Sequence, residues 1–376
     1  MPIARLSDLS DASVCPVLVL KVGSSLLVGT DGQPRPEWLA SLATEIAAAR
    51  THGQKVIVVS SGAIALGASR LKMAKGGRGS LADAQAAAAV GQIALAGLWS
   101  EALQAVGMEA AQLLVTLDDL EDRRRYLNAA ATLDRLLAAG AVPVVNENDS
   151  VATEEIRFGD NDRLAARVAQ AGNASAVLLL SDVDGLFDRD PATPDAKLVR
   201  TVAKVSPELR TAAADTSNSG IGTGGMASKL EAADIAQRAG IALAIVNGTH
   251  NGPIGRALGN DIGSMFTPLR KEAAKRSWLG GRMQLTGTIT VDEGCLAALR
   301  GGASLLASGI VAVKGSFQRG DVVAVSDSAA NIAKGLTEYS SDECKRIMGR
   351  KTGEQADLLG YAPRAAVIHR DHLVLL

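Results

Sequence analysis

Ser219 to Lys229 reads Ser-Gly-Ile-Gly-Thr-Gly-Gly-Met-Ala-Ser-Lys. Four glycines strip side chains from the backbone, so successive N–H groups can approach a bulky anion. A lysine follows at the head of a helical pattern, and a helix N-terminus favours negative charge. Together these suit a phosphate. Gly220, Gly222 and Gly225 formally fit G-x-G-x-x-G, but that dinucleotide fingerprint has meaning only directly after a strand feeding a helix. The preceding run, Thr211 to Asn218, is polar with no strand pattern. A Walker A loop fails too, because Lys229 follows Ser228 rather than Gly and precedes Leu230. A nucleotide kinase built on this chain is not a P-loop one.

Four expected strand ends carry further candidates. Lys21 closes the apolar run Pro16 to Val22, and a lysine is costly to bury there without an anion. The alternative is a lysine that snorkels to water. Ser60-Ser61-Gly62 follows the run Lys55 to Val59 and could cradle an anion or merely cap a helix. Asn146-Glu147-Asn148-Asp149 and Gly159-Asp160-Asn161-Asp162 form a dense amide and carboxylate cluster. Such groups can accept an ammonium and donate to a carboxylate, as an amino-acid substrate requires. They also suit a polar loop. Ser181-Asp182-Val183-Asp184-Gly185 follows the run Ala176 to Leu180. His369-Arg370-Asp371 has the residues of a protein-kinase catalytic loop, but no downstream Asn follows, so we set it aside.

The elements that must position these groups alternate along the first two thirds of the chain. Strand-like runs lie at 16–22, 55–60, 110–115, 141–145, 176–180 and 241–246, with Pro143 awkward for a central ladder. Helical patterns lie at 38–52, 81–106 and 119–139. Continuous rather than alternating hydrophobicity predicts a mainly parallel sheet covered on both faces, hence an α/β fold. Ligands in such sheets bind beyond the carboxyl ends of the strands. After about residue 275 turns become frequent, with strand candidates at 285–291, 309–315, 320–325 and 365–369, which predicts a small β-rich domain.

Composition excludes other classes. Net charge is −1, and residues 277–376 hold 11 Lys and Arg against 10 Asp and Glu, which argues against nucleic acid as the main partner. Three scattered cysteines and four histidines show no disulfide or metal-ligand spacing, so a reducing cytoplasm is expected. Met1 to Val14 has no apolar core of a signal peptide. No apolar run is expected to span a bilayer.

Taken in order, Lys21-Val22-Gly23-Ser24-Ser25, Val58-Val59-Ser60-Ser61-Gly62-Ala63-Ile64, Asn146-Glu147-Asn148-Asp149 and Thr223-Gly224-Gly225-Met226-Ala227-Ser228-Lys229 resemble the amino acid kinase family. Within it, Val144 to Asp149, Phe158 to Asp162 and the tail Ile289 to Gly294 resemble the branch that phosphorylates glutamate and carries a C-terminal PUA domain. Ser60 and Ser181 stand where that pattern has Thr, and both keep a hydroxyl. The resemblance implies a three-layer α/β/α kinase domain at 16–268 after an extension at 1–15, a linker at 269–280 and a small PUA barrel at 281–376. It implies ATP-dependent phosphorylation of the L-glutamate side-chain carboxylate to L-glutamyl 5-phosphate, the first step of proline biosynthesis, with Mg²⁺ accompanying ATP. Lys21 and Lys229 would be catalytic and contact the phosphates. Ser61, Asp149 and Asn161 would bind glutamate. Ser181, Asp182 and the loop Thr223, Gly224, Gly225, Met226, Ala227, Ser228 and Lys229 would hold the nucleotide. Proline as inhibitor, a homodimer or tetramer, and coupling to the next enzyme of the pathway are implied as well. Other small-acid kinases of the same fold are the alternative.

Overall fold

Runs of Val, Leu, Ile and Ala become strands here because both sheet faces are buried. In the structure, a computed structural model describing residues 3–151, 160–210, 225–269, 285–327 and 329–376, the chain divides into two compact units. They comprise residues 1–121 with 129–271, and 122–128 with 272–376.

The first unit holds β1 (Val17–Val22), β2 (Lys55–Ser60), β3 (Ala110–Val115), β4 (Val142–Glu147), β5 (Ala176–Ser181), β6 (Thr201–Val202), β7 (Ala242–Asn247) and β8 (Ser264–Phe266). Their order across the sheet is β3-β4-β2-β1-β5-β7-β8-β6. Every pairing is parallel except β7 with β8, so the expected mainly parallel sheet is present. Leu18, Leu20 and Val22 share one core with Leu42 and Ile46 of helix Pro36–Thr51 and with Leu95 and Trp99 of helix Leu81–Gln104. The alternate residues Val19, Ile57, Val59, Val177 and Leu179 are buried too, on the opposite face. Helices Asp160–Ala171 and Met226–Arg238 pack together, the first on β1 and β2 and the second on β7.

Three expectations change. Pro143 is accommodated in an interior strand because the β2–β4 register begins only at Val58 opposite Val144, past the missing N–H. The helix expected at 119–139 is two helices, Leu117–Glu121 and Arg123–Ala138. The Asp122 carboxylate at the break accepts the Arg125 N–H at 2.9 Å, as a capping residue does. Helix Leu81–Gln104 is, by length and composition, long and apolar enough to cross a membrane. Its Ala-rich composition hid this, and one side of it carries the buried Leu95, Trp99 and Leu103 of the core.

In the second unit, β9 (Gly287–Val291), β10 (Ile310–Gly315), β11 (Val322–Ser326), β12 (Asn331–Leu336) and β13 (Leu373–Leu375) form a sheet of order β10-β9-β11-β12-β13. It is antiparallel apart from β9 with β11. The strand expected at 365–369 is only a bridge, Ile368 to Leu305.

Candidate functional site

The parallel strands β1, β2, β4, β5 and β7 all deliver their carboxyl ends to one edge. Lys21, next to last in β1, pairs in register with Val59 of β2 and Leu179 of β5, so it lies at the centre of that edge. It is only 7% exposed. Its anionic partner is Asp162, in the first turn of helix Asp160–Ala171: Lys21 Nζ lies 2.5 Å from Oδ1. Lys229, in the first turn of helix Met226–Arg238 and also 7% exposed, places Nζ 3.4 Å from Oδ2 of the same carboxylate. The Ser228 hydroxyl donates to that oxygen at 3.5 Å. One fully buried carboxylate thus joins two ammoniums from different elements. Burial would raise the Asp162 pKa, but Lys21 and then Lys229 outweigh it, and the group is held below its ordinary 3.8.

Beside this lies a polar relay. Asn161 Nδ2 donates to Ser61 Oγ at 2.9 Å and to Asn146 Oδ1 at 3.4 Å. Asn146 Nδ2 donates to Gln92 Oε1 at 2.8 Å, and Trp99 Nε1 donates to Ser60 Oγ at 2.9 Å. Ser61 N–H donates to Val22 O at 3.0 Å, tying the turn after β2 to the end of β1. Asn161 Oδ1 is buried with no hydrogen-bond partner. A buried orphaned acceptor suits an incoming ammonium, since leaving it unpaired carries a desolvation cost. Asp149 lies two residues past the end of β4, half-buried.

On the other side of Lys21, Ser181 ends β5 at 5% exposure, and its hydroxyl donates to Asp182 Oδ1 at 3.1 Å. Asp182 is exposed. Ser181 is the register partner of Asn247 in β7. Gly225 precedes the first turn of helix Met226–Arg238, which holds Met226, Ala227, Ser228 and Lys229. Thr223 and Gly224 lie outside the described residues.

The structure therefore brings Lys21, Lys229, Ser61 and Asn161 together at one edge. Sequence reasoning gave Asp162 no role, although it placed it in the right cluster. The signal was present, because a buried Lys21 required an anion. Asn146 and Gln92 carry no comparable signal, as their roles depend on tertiary contact.

The model of the amino acid kinase family matches residues 16–247, and that of the PUA domain matches residues 287–357. The chain is 61% identical to the glutamate 5-kinase of Novosphingobium aromaticivorans over the full length of both chains. It is 55% identical to the glutamate 5-kinase of Sphingopyxis alaskensis over 96% of this chain and 98% of the other. The glutamate 5-kinase of Zymomonas mobilis is 52% identical over 96% of this chain and 92% of its own.

Proposed function

This chain belongs to the amino acid kinase family and carries a C-terminal PUA domain, and from that premise we propose how its site works. The protein is a glutamate 5-kinase, which uses ATP to phosphorylate the side-chain carboxylate of L-glutamate in the first step of proline biosynthesis. The observation that carries the mechanism is the buried Lys21–Asp162–Lys229 triad at the carboxyl edge of the sheet.

The nucleophile needs no base. A glutamate side chain has a reference pKa of about 4.3 and is ionised at neutral pH. One carboxylate oxygen attacks the γ-phosphorus, the bond to the β,γ-bridging oxygen breaks, and ADP leaves with that electron pair. The barrier is the approach of an anion to a polyanion. Lys21 and Lys229 lower it by facing the transferring group with two charges whose geometry Asp162 fixes in advance. Ser181, Asp182 and residues 223–229 hold the nucleotide, the backbone N–H groups at the helix start favouring its phosphates. Ser61, Asn161 and Asp149 hold the amino acid, with Asn161 Oδ1 and Asp149 as acceptors for the ammonium. Among the described residues no group of three or more His, Cys, Asp or Glu side chains could hold a metal ion. Mg²⁺ fits instead as the counter-ion that ATP carries on its own phosphates. Proline, the pathway's end product, is the proposed inhibitor, and the cytoplasm, where free Cys15, Cys295 and Cys344 stay reduced, the proposed compartment.

We also propose a homo-oligomer. Helix Leu81–Gln104 has no charge between Asp83 and Glu101, and Ala86, Ala89 and Ile93 line its exposed side, Ile93 at 76%. A second copy of the same helix would cover it isologously.

A hydroxamate assay with ATP, Mg²⁺ and glutamate, with and without proline, tests the reading. We expect glutamate-dependent hydroxamate that proline suppresses. Product no higher than the no-enzyme control, or higher with acetylglutamate or aspartate, would overturn it.

A further inference from the structure

Helix Leu81–Gln104 sends two polar side chains toward the amino-acid end of the site. Gln92 Oε1 accepts the Asn146 amide at 2.8 Å, and Trp99 Nε1 donates to Ser60 Oγ at 2.9 Å. Residues seven apart share one face of a helix, so both contacts come from the same face. Gly91, beside Gln92, lets the helix approach closely: a Cβ there would stand 1.7 Å from Ala63 O. Ala63 opens the helix that follows the Ser61-Gly62 turn.

The two contacts differ in kind. An indole N–H can only donate, so the Ser60 hydroxyl accepts from Trp99 and sends its own hydrogen to Ser61 O at 3.2 Å. A carboxamide donates from one end and accepts at the other. In a chain of amides each one therefore sets the orientation of the next. Gln92 presents Oε1, so Asn146 turns Nδ2 toward it and keeps Oδ1 for Asn161. Asn161 answers with Nδ2, which also reaches Ser61 Oγ at 2.9 Å. Both hydrogens of that amide are then spent, and Oδ1 is the end left buried without a partner. Asn146 is 1% exposed, so water has little access to replace a lost contact. Were Gln92 to present its NH₂ group instead, every amide would reverse. Asn161 would then offer a donor where an ammonium needs an acceptor. The Ser61 hydroxyl can donate or accept and would not resist the reversal.

We propose that Gln92 is a positioning residue for the amino-acid substrate: its Oε1 fixes the polarity of the Gln92–Asn146–Asn161 chain and keeps Asn161 Oδ1 as the acceptor for the substrate's ammonium. The inference rests on the glutamate-kinase reading above. Gln92 acts through Asn146 and Asn161. It thereby favours an α-amino acid over a dicarboxylate of the same length that lacks the amine.

The test uses Gln92→Met, which keeps the length and removes both polar ends, and Gln92→Glu, whose carboxylate can only accept. Wild type and both variants are assayed for kcat, for KM of glutamate and of ATP, for competitive inhibition by glutarate, and for Tm. Glutarate keeps both carboxylates at the same spacing and lacks the ammonium. Gln92→Met should raise the KM for glutamate about tenfold, within the scale of one hydrogen bond to a charged group. Its kcat should stay within about threefold, and neither the KM for ATP nor the inhibition constant of glutarate should move. Gln92→Glu should bring the glutamate KM back to within about threefold of wild type. An unchanged glutamate KM in Gln92→Met, an equal rise for ATP or glutarate, or a Gln92→Glu enzyme as impaired as Gln92→Met would overturn the assignment, whatever the change in Tm. Absence of glutamate phosphorylation in wild type would instead overturn the functional reading itself.

Discussion

Lys21 Nζ lies 2.5 Å from Oδ1 of Asp162, a carboxylate with no exposure to solvent. From sequence alone, Lys21→Ala or Lys229→Ala would lower turnover and leave folding intact. The shared buried partner changes that expectation. Either substitution removes one of two cations that compensate Asp162, so each should cut kcat about a hundredfold or more and also cost about 1–3 kcal/mol of stability. Lys229, at 3.4 Å, should cost less stability than Lys21. Steady-state kinetics beside thermal unfolding checks both effects, and near-wild-type turnover in either variant would reject the assigned role.

Asp162→Asn keeps the shape and removes the charge. Two buried ammoniums then face each other across a neutral amide, and breaking a buried ion pair in this way costs about 3–5 kcal/mol. We expect a lower Tm than for either lysine variant, together with a large loss of kcat. An Asp162→Asn enzyme as stable as wild type would mean that the triad is not coupled.

Acid stability follows from the same group. The Asp162 pKa is depressed in the folded state below its ordinary 3.8, so on acidification the unfolded chain binds the proton first. Its contribution is present above about pH 3.8 and is lost as pH falls through the folded-state value. Below about pH 4, Tm should fall more steeply in wild type than in Asp162→Asn, which lacks that carboxylate. Parallel curves would assign the acid limb to other groups.

The sheet was legible in the sequence because strands buried on both faces read as unbroken apolar runs, as in Ala176–Ser181, every residue of which is buried. Lys21 was legible for the opposite reason, as a charge at the end of such a run. The short strands Thr201–Val202 and Ser264–Phe266 leave too few residues to show a period. Strand Asn331–Leu336 was hidden by Lys334 and Gly335, which lower β propensity. Asp162 escaped because its role arises from partners far along the chain, Lys21 and Lys229. Spacing along one element does not encode such a meeting.

The exposed face of helix Leu81–Gln104 leads to an assembly prediction. Burying Ile93 against a second copy would contribute about 1.5–3 kcal/mol per side chain. Ile93→Glu places two like charges in that seam, so light scattering should show a smaller particle than wild type at the same concentration. An unchanged mass would exclude this face as the contact.

Finally, helices Ala63–Leu71 and Leu81–Gln104 meet backbone to backbone. A Cβ on Gly91 would stand 1.7 Å from Ala63 O, and one on Gly67 would stand 1.8 Å from Ala87 O. Neither neighbour is a flexible side chain that can step aside. Gly91→Ala must therefore push helix Ala63–Leu71 outward, and with it the Ser61-Gly62 turn from which that helix starts. Ser61 Oγ accepts the Asn161 amide at 2.9 Å, so the displacement reaches the amino-acid end of the site before it reaches Lys21. Overpacking alone costs about 1–3 kcal/mol. The accompanying change in kinetics should be a raised KM for glutamate with a smaller change in the KM for ATP. A variant with lowered Tm but unaltered glutamate KM would show that the turn keeps its place without the close helix crossing.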